Sequence, residues 1–353
     1  MLGAIIGDII GSSYEFNNVR DKEVPLFTSL SYPTDDSIMT LAVADVIQKG
    51  YAYDPEMIVE TFKMWAKAYP DSGYGIKFSN WVFSDDKEPY YSMGNGAAMR
   101  VSPVGWYARS EEEVKELAKC VTEVTHNHPD GLKAAEVVAM CVYYARRGKS
   151  KKFIKEYVER YYDLDFDYED LKINNVFDDT CEGSVPQAIY CFLISKSYVD
   201  CIKNCISIGG DCDTTSAIAG SIAEAYYKFI PGNVKEEALA CLRDEEPSPF
   251  DVINTFLDDF MDDYILSEEK TSKTVFLKVT EGSNEFVGHC KKIAPLKEYI
   301  IIRLEEACFN RMNYIKKILG KVVDYDGLKM VVEEINELSL DFDISFMVYK
   351  RSK

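Results

Sequence analysis

Apolar side chains recur every three or four residues through most of the first three-quarters of the chain, the spacing that lines one face of an α-helix. The pattern runs through 2–12, 36–48, 55–68, 111–124, 131–147, 151–162, 185–195, 198–206, 214–229, 234–243 and 250–264, while strand-like alternation is scarce. Gly50, Gly148 and the Pro231-Gly232 pair supply breaks where helices should end. In the first of these stretches Gly3, Gly7 and Gly11 are spaced by four. They form a smooth stripe on which another backbone can pack, a feature of the core.

After residue 265 the texture changes. "KTVFLKVTEG" and "DFDISFMVYK" read as strands and "GLKMVVEEINEL" as a helix. The expected architecture is therefore an all-α domain over 1–264 followed by a small α+β appendage over 265–353. The competing reading lets apolar segments such as "EYIIIRL" complete the helical core. Charge supports the division: the chain of 353 residues has a formal net charge of -19, yet residues 265–353 hold 15 Lys and Arg against 14 Asp and Glu. The acidic excess thus lies entirely in the helical part.

That excess argues against nucleic acid as the main partner, because holding a polyanion relies on clustered Lys and Arg. A compact phosphate ligand stays open if metal ions supply local positive charge. None of the ten cysteines has C-x-x-C spacing, so buried reduced thiols in a cytoplasmic protein are expected. The apolar start "MLGAIIGDIIG" lacks a basic leader and is interrupted by Asp8, so it does not read as a signal peptide. No run long enough for a membrane span occurs.

Two acidic stretches carry candidate chemistry. "PTDDSIMTLAVADVI" sets Thr34, Asp35 and Asp36 at the start of a helical pattern, and "GGDCDTTSAIAG" delivers Asp211 and Asp213 from a Gly-Gly turn onto a helix expected to begin near Thr214. Asp and Thr are favoured helix caps, so capping accounts for either stretch alone. Two doubled clusters with threonine also make a set of hard oxygen donors, suited to Mg²⁺ or Mn²⁺ rather than zinc. If the helix ends face each other, two divalent ions would balance the charge. An EF-hand is excluded because its glycine and terminal glutamate are missing.

"YSMGNGAAMRVSPVGW" contains Gly94, Asn95, Gly96, Ala97 and Ala98, a small-residue loop whose backbone amides could cradle phosphate oxygens. It matches neither a Walker loop nor a dinucleotide fingerprint. "THNHPDG" holds His126 and His128 without a partner cysteine or histidine at zinc spacing, so His126 is read as a hydrogen-bonding group lining a pocket. Glu15 alone would pass for an ordinary surface glutamate.

The order of "GAIIGDIIGSSYE", "TDDSIMT", "GNGAAMRVSPVG", "THNHPDG", "VPQAIYCFL" and "SIGGDCDTTSAIAGSIAEAYY" resembles the ADP-ribosylglycohydrolase family over roughly residues 1–264. That family includes the dinitrogenase-reductase-activating glycohydrolase and the hydrolases of ADP-ribosyl-arginine and ADP-ribosyl-serine. The resemblance implies an all-α fold with a binuclear magnesium site in a cleft. It places Thr34, Asp35 and Asp36 on one side of the metals and Asp211, Asp213 and Thr214 on the other. Glu15 would lie near the metals, Gly94 to Ala98 would contact the distal ribose and phosphates, and His126 would line the pocket. Asp36 and Glu15 are the candidate acid and base, in an order the sequence leaves open. The implied partners are an ADP-ribosylated protein or a small ADP-ribose compound. Ser37 stands where threonine is commoner, and the tail has no counterpart in the family pattern.

The expected reaction is hydrolysis at the anomeric carbon of ADP-ribose, with arginine-linked substrate first and serine-linked or O-acyl-ADP-ribose second. A module that holds ADP-ribose without cleaving it would need a lost acidic position, and all of them are present. Asp211-Cys212-Asp213-Thr214-Thr215 also fits the D-x-D-x-T pattern of haloacid-dehalogenase phosphatases, whose first aspartate follows a parallel strand. Here Gly209-Gly210 interrupts the approach, and strands do not alternate with helices around it. The sequence says nothing of oligomeric state.

Overall fold

The computed structural model describes residues 1–260 and, beyond them, six strands between 275 and 350. The chain divides into two compact units, Met1–Phe256 and Leu257–Lys353. Regular structure through residue 260 is helical: α1 (Leu2–Ser12), α2 (Asp35–Gln48), α3 (Pro55–Ala68), α4 (Ile76–Phe83), α5 (Gly96–Met99), α6 (Ser102–Tyr107), α7 (Glu111–Glu123), α8 (Pro129–Arg146), α9 (Lys151–Val158), α10 (Tyr168–Asn174), α11 (Cys181–Ile194), α12 (Tyr198–Ile208), α13 (Cys212–Tyr227), α14 (Gly232–Leu239) and α15 (Pro249–Phe260). All eleven periodic stretches fall on helices, the last of them as far as Phe260. Short α4, α5, α6 and α10 are additions that periodicity does not reveal.

Helix α13 forms the centre. Every residue from Cys212 to Ala225 is buried, as expected of a helix packed on all sides, and α1, α8, α11 and α12 lie against it. Its contact with α1 is the most extensive between helices, and the glycine stripe explains why. A Cβ placed on Gly3 would lie 2.5 Å from the Gly220 carbonyl oxygen, and one on Gly11 would lie 2.6 Å from the Asp213 Cα. At Gly7 the same atom would collide with the Ser216 carbonyl. Only hydrogens fit between the two backbones.

Eight cysteines among the described residues are free thiols, six of them buried. No helix among the described residues is long and apolar enough to cross a membrane.

The second unit contains β1 (Val275–Glu281), β2 (Asn284–Pro295), β3 (Tyr299–Leu304), β4 (Val322–Tyr325), β5 (Leu328–Glu337) and β6 (Ile344–Lys350). They close an antiparallel barrel in the order β1-β2-β3-β6-β5-β4, with Lys278 paired to Asp324 at the seam. The helix expected at "GLKMVVEEINEL" is instead strand β5. The ladder register shifts between Val332 and Glu334, so no single two-residue alternation runs through the segment, and its apolar spacing mimics a helix. "EYIIIRL" supplies β3 to this barrel.

Candidate metal centre and ligand loop

The site starts from a carboxylate that the sequence reading passed over. Asp8 is fully buried midway along α1 and reaches the start of α2. Its Oδ2 accepts from the backbone amides of Thr34 at 2.9 Å and Ser37 at 3.1 Å, and from the Ser37 hydroxyl. Its Oδ1 accepts from Thr34 Oγ1 at 2.6 Å. Asp8 therefore satisfies first-turn amides of α2 from another helix. Thr34 is the N-cap, but its own capping bond, from the Asp36 amide, is long at 3.4 Å. Its hydroxyl chiefly orients Asp8.

The second acidic stretch is shaped by its two glycines. After α12, Gly209 and Gly210 take φ of +67° and +82°, a conformation that side chains with Cβ rarely adopt. Asn18 Oδ1 accepts from Gly210 N at 2.6 Å, Asn175 Nδ2 donates to Gly209 O at 2.9 Å, and Arg20 donates to Ile208 O. The turn leaves Asp211 as N-cap residue of α13 without a side-chain capping bond. Its Oδ2 accepts instead from Asn95 Nδ2 at 2.7 Å. Thr214 Oγ1 donates to Asp36 Oδ2 at 3.1 Å, which ties the two acidic stretches together.

Two carboxylate triads result: Asp8, Asp36 and Asp213, and Glu15, Asp211 and Asp213, each with one oxygen per residue within 4.8 Å of the others. Asp213 belongs to both. Burial pushes every one of these groups upward, and repulsion from neighbouring carboxylates adds to it for all but Asp8. Burial raises Asp8 to about 6 against the hydrogen bonds it accepts. Burial and Asp211 raise Glu15 to about 7, and burial with Glu15 and Asp8 raises Asp213 to about 8. Burial and Asp213 carry Asp36 and Asp211 well above the usual carboxylate range. Asp36 Oδ1 is buried with no hydrogen-bond partner. Hard anionic oxygens, crowded, dehydrated and in one case unpartnered, fit a divalent cation.

Asp35 stands outside both triads. Asp35 is only partly exposed, and burial with Asp8 and Asp211 nearby raises it to about 7.

The loop at 94–98 is fastened to the chain before α11. Asn95 N donates to Asp179 O at 2.8 Å, Cys181 N donates to Met93 O at 3.0 Å, and Gly94 bridges Thr180. Asn95 Nδ2 also donates to Ser184 Oγ at 2.9 Å, so the loop is coupled to Asp211. Ala97 and Ala98 are buried within α5, in the core. The space over Gly96 and Gly94 faces His126: added Cβ atoms would lie 3.1 and 3.7 Å from its Nε2. His128 caps α8, accepting from Asp130 N at 3.1 Å. The segment before Asp211 is helix α12, not the strand a haloacid-dehalogenase nucleophile follows.

Two contributors escaped the sequence reading. Asp8 had one signal, a lone acid in the apolar run of α1. Ser184, which supports Asn95, had none.

Residues 1–270 match the model of the family described as ADP-ribosylglycohydrolase, and the chain belongs to that family. It is accordingly a hydrolase of the ADP-ribosylglycohydrolase type. It is 27% identical to ADP-ribosylhydrolase ARH3 of Homo sapiens, over 64% of this chain and 84% of that protein. It is 25% identical to the ADP-ribosyl-[dinitrogen reductase] glycohydrolase of Rhodospirillum rubrum, over 64% of this chain and 83% of that protein. A solved structure titled ADP-ribosylglycohydrolase-related protein complex superposes with a TM-score of 0.53 at 22% identity, covering 68% of this chain and 94% of that one, and shares the fold.

Proposed function

We propose that the chain cleaves the glycosidic bond between ADP-ribose and a modified side chain, reversing mono-ADP-ribosylation, with Mg²⁺ or Mn²⁺ as cofactor. The observation that carries this reading is the pair of carboxylate triads sharing Asp213, with Asp36 Oδ1 buried and unpartnered in the first. Asp8, Asp36 and Asp213 would hold one cation and Glu15, Asp211 and Asp213 a second, with Thr34, Asp35 and Thr214 beside them. Such a pair, when bound, supplies positive charge that orients ribose hydroxyls and makes water acidic enough to ionise near neutral pH.

The chain's own groups account for the proton transfers. Water attacks the anomeric carbon as the bond to the leaving nitrogen or oxygen breaks, and the bonding pair departs with that atom. Asp36, once the loaded site holds it ionised, is the residue we assign to accept the water's proton. Glu15, half-buried at the edge of the second triad, is the residue we assign to protonate the leaving atom. The Gly94–Asn95 turn and His126 hold the phosphates and distal ribose. Catalysis is assigned to residues 1–264, and the tail to choosing a protein target or joining protomers.

The arginine linkage remains the first substrate to offer and the serine linkage the second. Purified protein is given arginine-linked and serine-linked ADP-ribosyl peptides with and without Mg²⁺, and released ADP-ribose is measured. We expect release that EDTA abolishes and that Mg²⁺ or Mn²⁺ restores better than Zn²⁺. Full activity in exhaustively chelated protein would refute the metal-dependent reading, and phosphate release through a trapped acyl-phosphate on Asp211 would replace it.

A further inference from the structure

Behind the glycine loop lies a buried polar chain with no role in the metal centre. Arg100 is 1% exposed, with its guanidinium 4.7 Å above the Phe62 ring. It donates to Thr125 Oγ1 at 2.7 Å and to Val121 O at 3.3 Å. Thr125 is fully buried, and its Oγ1 lies 2.8 Å from His126 Nδ1. On the far side of the ring, Nε2 faces Gly94 and Gly96.

Donor and acceptor bookkeeping orients this chain. Arginine can only donate, so Thr125 Oγ1 accepts from Arg100 and still has one proton to place. The neighbouring acceptor is His126 Nδ1. The Tyr90 phenol, whose ring meets His126 edge-on at 5.9 Å, also lies beside Thr125, but its oxygen is a weaker acceptor than an imidazole nitrogen. Donation in one direction, Arg100 to Thr125 to His126, also lets each bond polarise the next. With Nδ1 occupied as an acceptor, a neutral ring must carry its proton on Nε2. Burial and the Arg100 charge both hold His126 well below the usual imidazole range, so the ring is neutral.

We propose that Arg100 and Thr125 are positioning residues that lock His126 as the neutral Nε2–H tautomer, presenting one N–H donor across the Gly94–Gly96 turn to an acceptor oxygen of the ligand. The glycines are then required because a methyl group at 96 would crowd that donor. The identity of the ligand rests on the proposed function, but the tautomer does not.

The chain has three histidines, at 126, 128 and 289, so the imidazole nitrogens of the full-length ¹⁵N-labelled protein can be resolved by long-range proton–nitrogen correlation. His126→Gln assigns the spectrum. The expected pattern for His126 is a pyridine-like Nδ1 and a protonated Nε2, unchanged from pH 8 to 6. A protonated Nδ1, or an imidazolium at pH 7, overturns the lock. Thr125→Val removes the relay at nearly constant volume, and Thr125→Ser keeps it. Valine should turn His126 into a mixture of tautomers and weaken ADP-ribose binding about tenfold by calorimetry, while serine restores both. A folded valine variant with unchanged tautomer and affinity also overturns the proposal. Wild-type protein that shows the expected tautomer yet does not bind ADP-ribose would leave the lock standing and refute the functional reading instead.

Discussion

Thr214 Oγ1 donates a hydrogen bond to Asp36 Oδ2 at 3.1 Å across 178 positions of sequence. One hydroxyl thus fixes which lone pairs of Asp36 remain free. Thr214→Val should fold normally and lose about 10–100-fold in divalent affinity or turnover, the usual cost of removing an orienting partner. Thr214→Ser should recover most of it. Calorimetric titration with Mn²⁺ reads the affinity directly.

Asp213 and Asp35 separate two explanations of the acidic motifs. Asp35 and Asp213 stand in the first turns of α2 and α13 behind the N-caps Thr34 and Asp211, and asparagine keeps their size, so neither Asp213→Asn nor Asp35→Asn should unfold the metal-free protein. Asp213 sits in both triads and Asp35 in neither. Asp213→Asn should therefore lose more than the ~100-fold typical of an outer partner, and Asp35→Asn clearly less. Near-normal turnover of both variants at limiting Mg²⁺ would reduce the carboxylates to first-turn charges that favour the helix dipole.

How far the sequence leads depends on how local each signal is. The helices of the first unit are legible because an amphipathic face repeats within one segment. Asp35, Asp36, Asp211 and Asp213 are legible because acidic pairs stand where helices begin. Asp8 is not: its partners Thr34 and Ser37 lie on another element, and nothing near it in sequence marks it as more than an interruption of an apolar run. Asn95 was singled out for a backbone role, yet its side-chain amide to Asp211 is what joins the loop to the acidic cluster. Strand β5 was misread because a register shift breaks the alternation that would have betrayed it.

Gly7→Ala tests the helix contact that spaces Asp8 from Asp213. Its new methyl group meets the Ser216 backbone, which cannot rotate away. The expected cost is at or above the upper end of the ~1–3 kcal/mol typical of overpacking, with weakened Mn²⁺ binding in whatever remains folded. Gly75→Ala, which meets nothing within 4 Å, should stay within about 0.5 kcal/mol of wild type. Thermal denaturation compares the two.

Stability of the metal-free protein should fall as pH rises. Asp8 is raised to about 6, Glu15 and Asp35 to about 7, and Asp213 to about 8. Folded-state values above the unfolded ones mean that the protonated cluster favours folding, fully below pH ~4, and that this contribution is lost through pH 6–8. Melting temperature in EDTA should drop between pH 5.5 and 8, and saturating Mg²⁺ should restore it most at pH 8. An EDTA melting temperature that rises over this range would contradict the assignment.

A chain shortened after Tyr264 should remain folded and cleave a minimal ADP-ribosylated arginine, because every proposed site residue precedes residue 215. Soluble shortened protein that binds metal but has lost turnover on the minimal substrate would place part of the tail in the active site.

The backbone contact between α1 and α13 has a bearing on ion choice. Where helices touch through side chains, their axes can drift by repacking, and a site strung between them can stretch to suit its occupant. Gly3, Gly7 and Gly11 leave no such cushion. Asp8 and Asp213 hang from a jaw of fixed gape, and Asp8 cannot turn freely toward a larger ion because Thr34 and Ser37 already hold it. A cation held between them, as proposed, would be gauged by main-chain stiffness, and Mg²⁺ or Mn²⁺ should then bind better than Ca²⁺.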